Sequence, residues 1–231
     1  MREEHEAPPP EQRRIEETPF IVLDFETVTP KGHSPEPIEL GIMRLARGLH
    51  LDAICTRNWL ITPPDDAPLT EFDTRQTGIH WHDLQGMPVA RTVLAEFEAL
   101  VQGDEYVLVA HSASYEAAIL QRFSDVCPRA AAMPCIDTAA LGRRLVPHLP
   151  NYRLDTLAAH FSLPLPVQRH RALPDVALTV GVFLGLLETR TRTVLPIITI
   201  ADLTRIAGLR RGAQPQKRPV QMGLFHEERS Q

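Results

Sequence analysis

The stretch Phe20-Ile21-Val22-Leu23-Asp24-Phe25-Glu26-Thr27 decides the fold. Phe20 to Leu23 is a run of β-formers that ends at an acidic residue, as a strand does when it leaves a core. Strand residues alternate faces, so Asp24 and Glu26 share one face while Leu23 and Phe25 point to the other. Two carboxylates on one face repel each other and are costly to desolvate. A cation between them removes that cost, and Mg²⁺ or Mn²⁺ prefers such hard oxygen ligands. Taken alone, the same D-x-E also reads as a strand end dipping into solvent.

Outward from this strand, residues 39–45 and 53–61 read as two more strands, with Arg47-Gly48 as the turn between them. Residues 60–68 form a proline-rich loop, and 92–102 a helix stopped by Gly103. A fourth strand covers 106–110, followed by a helix over 114–123 with Ser114 as its N-cap. Asp137 caps a helix to about residue 145, and residues 154–161 form another. A helix over 173–187 has Pro174 in its first turn and an apolar face of Val176, Leu178, Val180, Phe183, Leu184 and Leu187. Thr199 with Asp202 forms a capping box that opens a short helix ending at Gly208. Tightly connected early strands followed by alternating helices and strands predict an α/β fold, a mixed sheet flanked by helices.

Two further stretches carry chemistry. In VLVAHSASYEAAIL, Glu116 falls in the first turn of a helix, where the helix dipole favours a negative charge with or without a metal. His111, at the end of the preceding strand, reads as a satisfied buried histidine with no catalytic role. In RHRALPDVALT, Asp175 sits in the first turn of the apolar helix and His170 on the loop before it. A histidine titrates near neutrality, so His170 beside an attacking water can act as general base. It also reads as a solvated histidine between Arg169 and Arg171.

In this order, D-F-E-T, A-H-S-A-S-Y-E and H-R-A-L-P-D resemble the motifs of the DEDDh 3′–5′ exonuclease family, which includes the proofreading subunits of bacterial replicative polymerases. The family pattern is D-x-E-T, A-H-N-A-x-F-D and H-R-A-L-x-D. The resemblance covers roughly residues 20–188. TGIHWHDLQGMP is similar to the family's substrate-side loop, and CIDTAALGRRLVPHLPNYRLDTLAAHF to the helical segment before its last motif. It implies a ribonuclease H-like fold and two divalent ions, Mg²⁺ or Mn²⁺. Asp24, Glu26 and Asp175 would hold one, with Asp24 shared to a second that Glu116 supports, and His170 would be the base. It further implies that Thr27 and the Gly78–Ile79 loop contact the terminal nucleotide, with Ile79 as a wedge between the last bases. Tyr115 reads as packing, and Trp81 as either a stacking or a half-buried residue. Glu116 stands where the family has Asp, and Ser112 where it has Asn, an amide that would fix the local backbone.

The bulk numbers bound the rest. The chain has 231 residues, enough for one substantial domain, and a formal net charge of −5, which argues against a broadly basic nucleic-acid sheath. It does not exclude a nuclease, because bound metals bring positive charge to the phosphate. No apolar run reads as spanning a bilayer. Cys55, Cys127 and Cys135 form no C-x-x-C, which fits a reduced, cytoplasmic setting and packing roles. The expected organisation is a disordered tail over 1–18, an exonuclease domain over 19–190, a short helical extension over 191–208 and a flexible tail over 209–231. That last tail carries Gln221-Met222-Gly223-Leu224-Phe225. It matches Q-x-x-L-F and resembles the peptide by which bacterial replication and repair proteins bind the sliding clamp. The expected activity is trimming of single-stranded DNA ends in proofreading or repair, as a stand-alone enzyme or beside a replicative polymerase. An RNA 3′-end trimming enzyme and a catalytically weak single-strand-binding module are the alternatives.

Overall fold

The structure is a computed structural model and describes residues 9–29, 34–167, 170–190 and 197–209. Its centre is a five-stranded mixed sheet in the order β3-β2-β1-β4-β5. The strands are β1 (Phe20–Val28), β2 (Glu36–Ala46), β3 (His50–Leu60), β4 (Val107–Ala110) and β5 (Cys135–Asp137). β1, β2 and β3 form an antiparallel meander, while β4 and β5 run parallel to β1. The β2–β3 turn works because Gly48 and Leu49 both adopt left-handed backbone, at φ 82° and 61°.

The strand faces sort the helices. α6 (Thr138–Leu145), α7 (Leu154–His160), α8 (Ala172–Thr189) and α9 (Ile200–Ala207) pack on the face of Phe20 and Val22. α3 (Ala90–Leu100), α4 (Ser114–Arg122) and α5 (Pro128–Ala132) pack on the face of Ile21, Leu23 and Phe25. Two short helices, α1 (Glu71–Thr77) and α2 (Trp81–Leu84), follow the meander. This is the mixed sheet between helical layers that the strand and helix pattern predicts.

Two features place the site. β1 pairs with β4 only over Phe20–Val22, so its second half, with Asp24 and Glu26, runs on beyond the parallel neighbour. And α8 lies directly on β1 and β2 because Gly41, opposite Asp24, has no side chain. A Cβ there would lie 2.8 Å from the backbone of Ala172 and Leu173. Backbone cannot swing aside as a flexible side chain can, and overpacking of this kind costs about 1–3 kcal/mol.

α8 is long and apolar enough to cross a bilayer, at 18 residues and mean hydropathy 1.5, more than the sequence reading allowed. Its Val176, Val180, Phe183 and Leu187 are instead buried in the core of this fold.

The N-terminal boundary needs correction. Residues 9–18 were expected in a disordered tail, yet Pro10–Gln12 and Ile15–Glu17 are 3-10 turns docked on the domain. Ile15 is fully buried, worth about 1.5–3 kcal/mol. That alone does not offset ordering a segment at about 1–2 kcal/mol per residue. Backbone hydrogen bonds supply more: Ile15 N–H donates to Ile198 O and Ile200 N–H to Arg13 O, both at 3.0 Å. The same bonds make 197–208 part of the domain rather than an appendage.

Candidate active site

Each acidic residue named from the sequence is buried. Asp24 is 8% exposed, Glu26 5%, Glu116 0% and Asp175 9%. Carboxylates are rarely this buried unless something compensates their charge. Asp24 Oδ2, Glu26 Oε1 and Glu116 Oε2 are buried oxygens that accept no hydrogen bond from the described residues.

Three of the predicted residues come together tightly. Glu26 from β1, His170 from the loop before α8 and Asp175 from the first turn of α8 each place a ligand atom within 4.8 Å of the other two. They come from segments 144 residues or more apart in the case of β1 and the loop, and the fold joins them because α8 lies on β1 and β2. Asp24 and Glu116 are outside this tight trio. Asp24 lies two residues earlier on the same strand face, and Glu116 is on α4, which also touches β1. The donor set is all oxygen apart from one imidazole, which suits Mg²⁺ or Mn²⁺ better than a thiophilic metal.

His170 has left-handed backbone, at φ 59°, uncommon for a residue with a Cβ. The solvated-surface alternative does not describe this histidine, which is half-buried against two acidic partners.

The second motif also has a special backbone. Ser112, where the family has Asn, is left-handed at φ 61°, a conformation that Asn tolerates better than most residues. Here Asp137 fixes the loop: Oδ1 accepts from Ser112 N–H at 3.0 Å and from Ala139 N–H at 2.8 Å, so it caps α6 as predicted and also holds the turn before α4. Burial raises the Asp137 pKa, and these N–H donors oppose that shift. Ser114 is the first helical residue rather than the N-cap, which is Ala113 without a side-chain cap. His111 is satisfied as predicted, with Nδ1 2.9 Å from Thr138 Oγ1.

On the substrate side, Thr27 follows a register shift in β1, and its Oγ1 lies 2.5 Å from the hydroxyl of Tyr115. Tyr115 is buried, so it packs rather than stacks. Gly78 ends α1 with φ 67°, a left-handed cap that favours glycine. Ile79 requires correction. It is 1% exposed and packs with Val28, Ile38, Ala67 and Leu84, because the end of β1 and α2 enclose it in a small apolar cluster. In this conformation its side chain is not free to wedge between bases. Trp81 is 44% exposed and Phe72 50%, so these rings are open to solvent on α2 and α1. Cys127 and Cys135 are buried packing residues, and burial pushes the Cys127 thiol up to about 11. Gln221, Leu224 and Phe225 of the clamp-like motif lie outside the described residues.

The sequence reading missed Glu39. It reads as the first residue of a strand, but it is fully buried and bonds to the chain just before Asp175. Alternation in IELGI sets Glu39 on the face opposite Ile38, Leu40 and Ile42, so the local pattern reads it as a polar outer residue and does not mark it as buried.

The exonuclease family profile, RNase_T, matches residues 21–183. The chain belongs to this exonuclease family. Similar proteins include the DNA polymerase III PolC-type of Halalkalibacterium halodurans, 38% identical over 161 residues, covering 69% of this chain and 11% of that protein. The DNA polymerase III PolC-type of Bacillus subtilis strain 168 is 32% identical over 180 residues, covering 76% of this chain and 12% of that protein. The chain thus spans about an eighth of the length of these relatives. Among solved structures, Exonuclease X in complex with 5′ overhanging duplex DNA has a TM-score of 0.59 at 23% identity, over 80% of this chain and 99% of that one. The nuclease domain of 3′hExo, a DEDDh family member bound to rAMP, has a TM-score of 0.64 at 17% identity, over 78% of this chain and 96% of that one. These likenesses show the ribonuclease H-like fold of the exonuclease family.

Proposed function

We propose that this chain is a metal-dependent 3′–5′ exonuclease that shortens single-stranded DNA ends and releases nucleoside 5′-monophosphates. The observation that carries the reading is the trio of Glu26, Asp175 and His170 within 4.8 Å, with Asp24 and Glu116 buried on elements that meet there. Asp24, Glu26 and Asp175 would hold one divalent ion, Mg²⁺ or Mn²⁺, and Asp24 with Glu116 a second. When bound, such ions activate water as Lewis acids and neutralise charge on the departing 3′-oxygen. The chain's own part is positioning and proton transfer. His170 accepts the proton of the attacking water, the new P–O bond forms in line, and the bond from phosphorus to the 3′-oxygen breaks. The loop before α8 sets a ring nitrogen of His170 within 4.8 Å of a carboxylate oxygen on both Glu26 and Asp175, which puts the base beside the residues that would hold the ion. Thr27 and the Gly78 turn face the terminal nucleotide.

Glu116 is the test of the second ion. Glu116→Asp restores the commoner ligand of the family and is expected to retain activity. Glu116→Gln is expected to lose most of it at unchanged fold, read as initial rate on a labelled oligomer. Equal tolerance of Gln and Asp would reduce Glu116 to a helix-terminal charge.

DNA is favoured because the sequence relatives are DNA polymerases by name. That relationship also suggests a polymerase context and a bacterial cytoplasmic setting. Matched DNA and RNA oligomers with Mg²⁺ provide the experiment: faster shortening of DNA supports the proposal, and a preference for RNA makes the chain an RNA-trimming enzyme. Gln221, Leu224 and Phe225 are proposed to bind a bacterial sliding clamp, which would raise the local concentration of enzyme at primer ends. Full-length protein should bind purified clamp, and Leu224→Ala with Phe225→Ala should abolish this. No binding by the unmutated protein at tens of micromolar would end the idea.

A further inference from the structure

We propose that Glu39 is a positioning residue which, through Arg171 and the first backbone amide of α8, sets His170 and Asp175 in place. Glu39 lies on β2 directly opposite Glu26 in the β1–β2 register, so the two carboxylates share the sheet face under α8. It is fully buried, and both of its oxygens are engaged by the chain. Oε1 accepts from Asn58 Nδ2 at 2.8 Å and from Arg171 Nη2 at 2.8 Å. Oε2 accepts from Arg171 Nε at 3.0 Å and from the backbone N–H of Ala172 at 2.9 Å. With two donors committed to each oxygen, Glu39 serves as an acceptor for the chain rather than as another metal ligand.

The donors identify what is being held. Ala172 is the first residue of α8, and its N–H is one of the helix-terminal donors that lack a partner within the helix. Arg171, the N-cap, offers no side-chain cap of its own, so a carboxylate from the sheet satisfies that end. A negative charge there also suits the helix dipole. The guanidinium meets the carboxylate in a forked arrangement that fixes direction as well as distance. His170 is the residue before Arg171 and Asp175 the fourth after it, so both inherit this placement. Gly41, two residues along β2 from Glu39, lets the backbone of Ala172 and Leu173 settle on the sheet. The strand therefore grips the start of α8 by a hydrogen-bonded pair at one point and by close backbone contact at the other. Small errors in the placement of catalytic groups are costly, which is why such support matters.

Glu39→Gln turns one acceptor into a donor facing Asn58 and Arg171, and removes the charge opposite Arg171. Arg171→Lys keeps the charge and loses the fork. The first readout is hydrogen exchange of the metal-free full chain. Both variants should exchange faster in peptides covering 170–176, with the rest of the sheet and helices unchanged. The second readout rests on the metal-site reading above. Mn²⁺ affinity by calorimetry and kcat on a DNA oligomer should fall on the order of 10–100-fold, while KM for the oligomer stays nearly constant. Local loosening in either variant supports the positioning role even if the chain proves inactive. Two results would overturn it. One is unchanged exchange at 170–176 in both variants. The other is uniformly faster exchange throughout both, at wild-type Mn²⁺ affinity, which would make the pair general stabilisation. Should Glu39→Gln fail to fold, Arg171→Lys decides the matter by the same measurements.

Discussion

Asp175→Asn and Asp24→Asn are each expected to lower the Mg²⁺-dependent nuclease rate by more than about 100-fold, since even outer partners of metal ligands are worth 10–100-fold. The expected effect on folding has the opposite character. Both residues are buried acids, 9% and 8% exposed; Asp175 stands in the trio with Glu26, and Asp24 shares its strand with Glu26. Without metal these charges repel one another and have lost much of their hydration. An amide of the same shape removes one charge, so the metal-free variants should melt at or above the wild-type temperature. The wild type should gain stability when Mn²⁺ is added, and each variant should gain less. Loss of activity with a lowered metal-free melting temperature would indicate simple misfolding. Retention of most Mg²⁺-dependent activity by either variant would remove that residue from the metal site.

His170→Ala is the second large effect. General-base catalysis contributes roughly 10²–10⁴-fold, and the variant should lose that much rate at neutral pH. The structure sharpens this test because a ring nitrogen of His170 lies within 4.8 Å of carboxylate oxygens on Glu26 and Asp175. At that distance an imidazole could also be a metal ligand. A base that receives only a proton leaves metal affinity nearly unchanged when removed, whereas loss of a ligand weakens it. Calorimetry with Mn²⁺ on His170→Ala therefore separates the roles. The expected result is a slow enzyme with near-normal affinity, and an unchanged rate would exclude His170 from the mechanism.

The central sheet and the motif residues were legible because their signals are local. Alternation in FIVLDFET places Asp24 and Glu26 on one face, and β1 carries them there. The Thr199–Asp202 capping box and the Asp137 cap follow from short spacing and both are present. What could not be read depends on distant partners. Residues 9–18 are charged and proline-rich, and Ile15 has no apolar company in its own stretch. Its partners are near Ile197 and Ile200, far along the chain. The resemblance makes Ile79 a wedge between the last bases, and only the fold shows Val28, Ile38 and Leu84 enclosing it. Glu39 meets Arg171 across 132 residues, and no local pattern announces that pair. The site shows the same division. That Glu26, His170 and Asp175 come together follows from residues visible in short motifs, whereas what holds them in place belongs to the sheet register.

The central claim is that three separated stretches form one metal-dependent site acting at the 3′ end. A 5′-labelled single-stranded DNA oligomer incubated with the purified full chain tests it most directly. The expected result is a ladder of products shortened one nucleotide at a time from the 3′ end, present with Mg²⁺ or Mn²⁺, absent with EDTA and absent for Asp175→Asn. An intact oligomer in the presence of either metal, or shortening that persists in EDTA, would contradict the account.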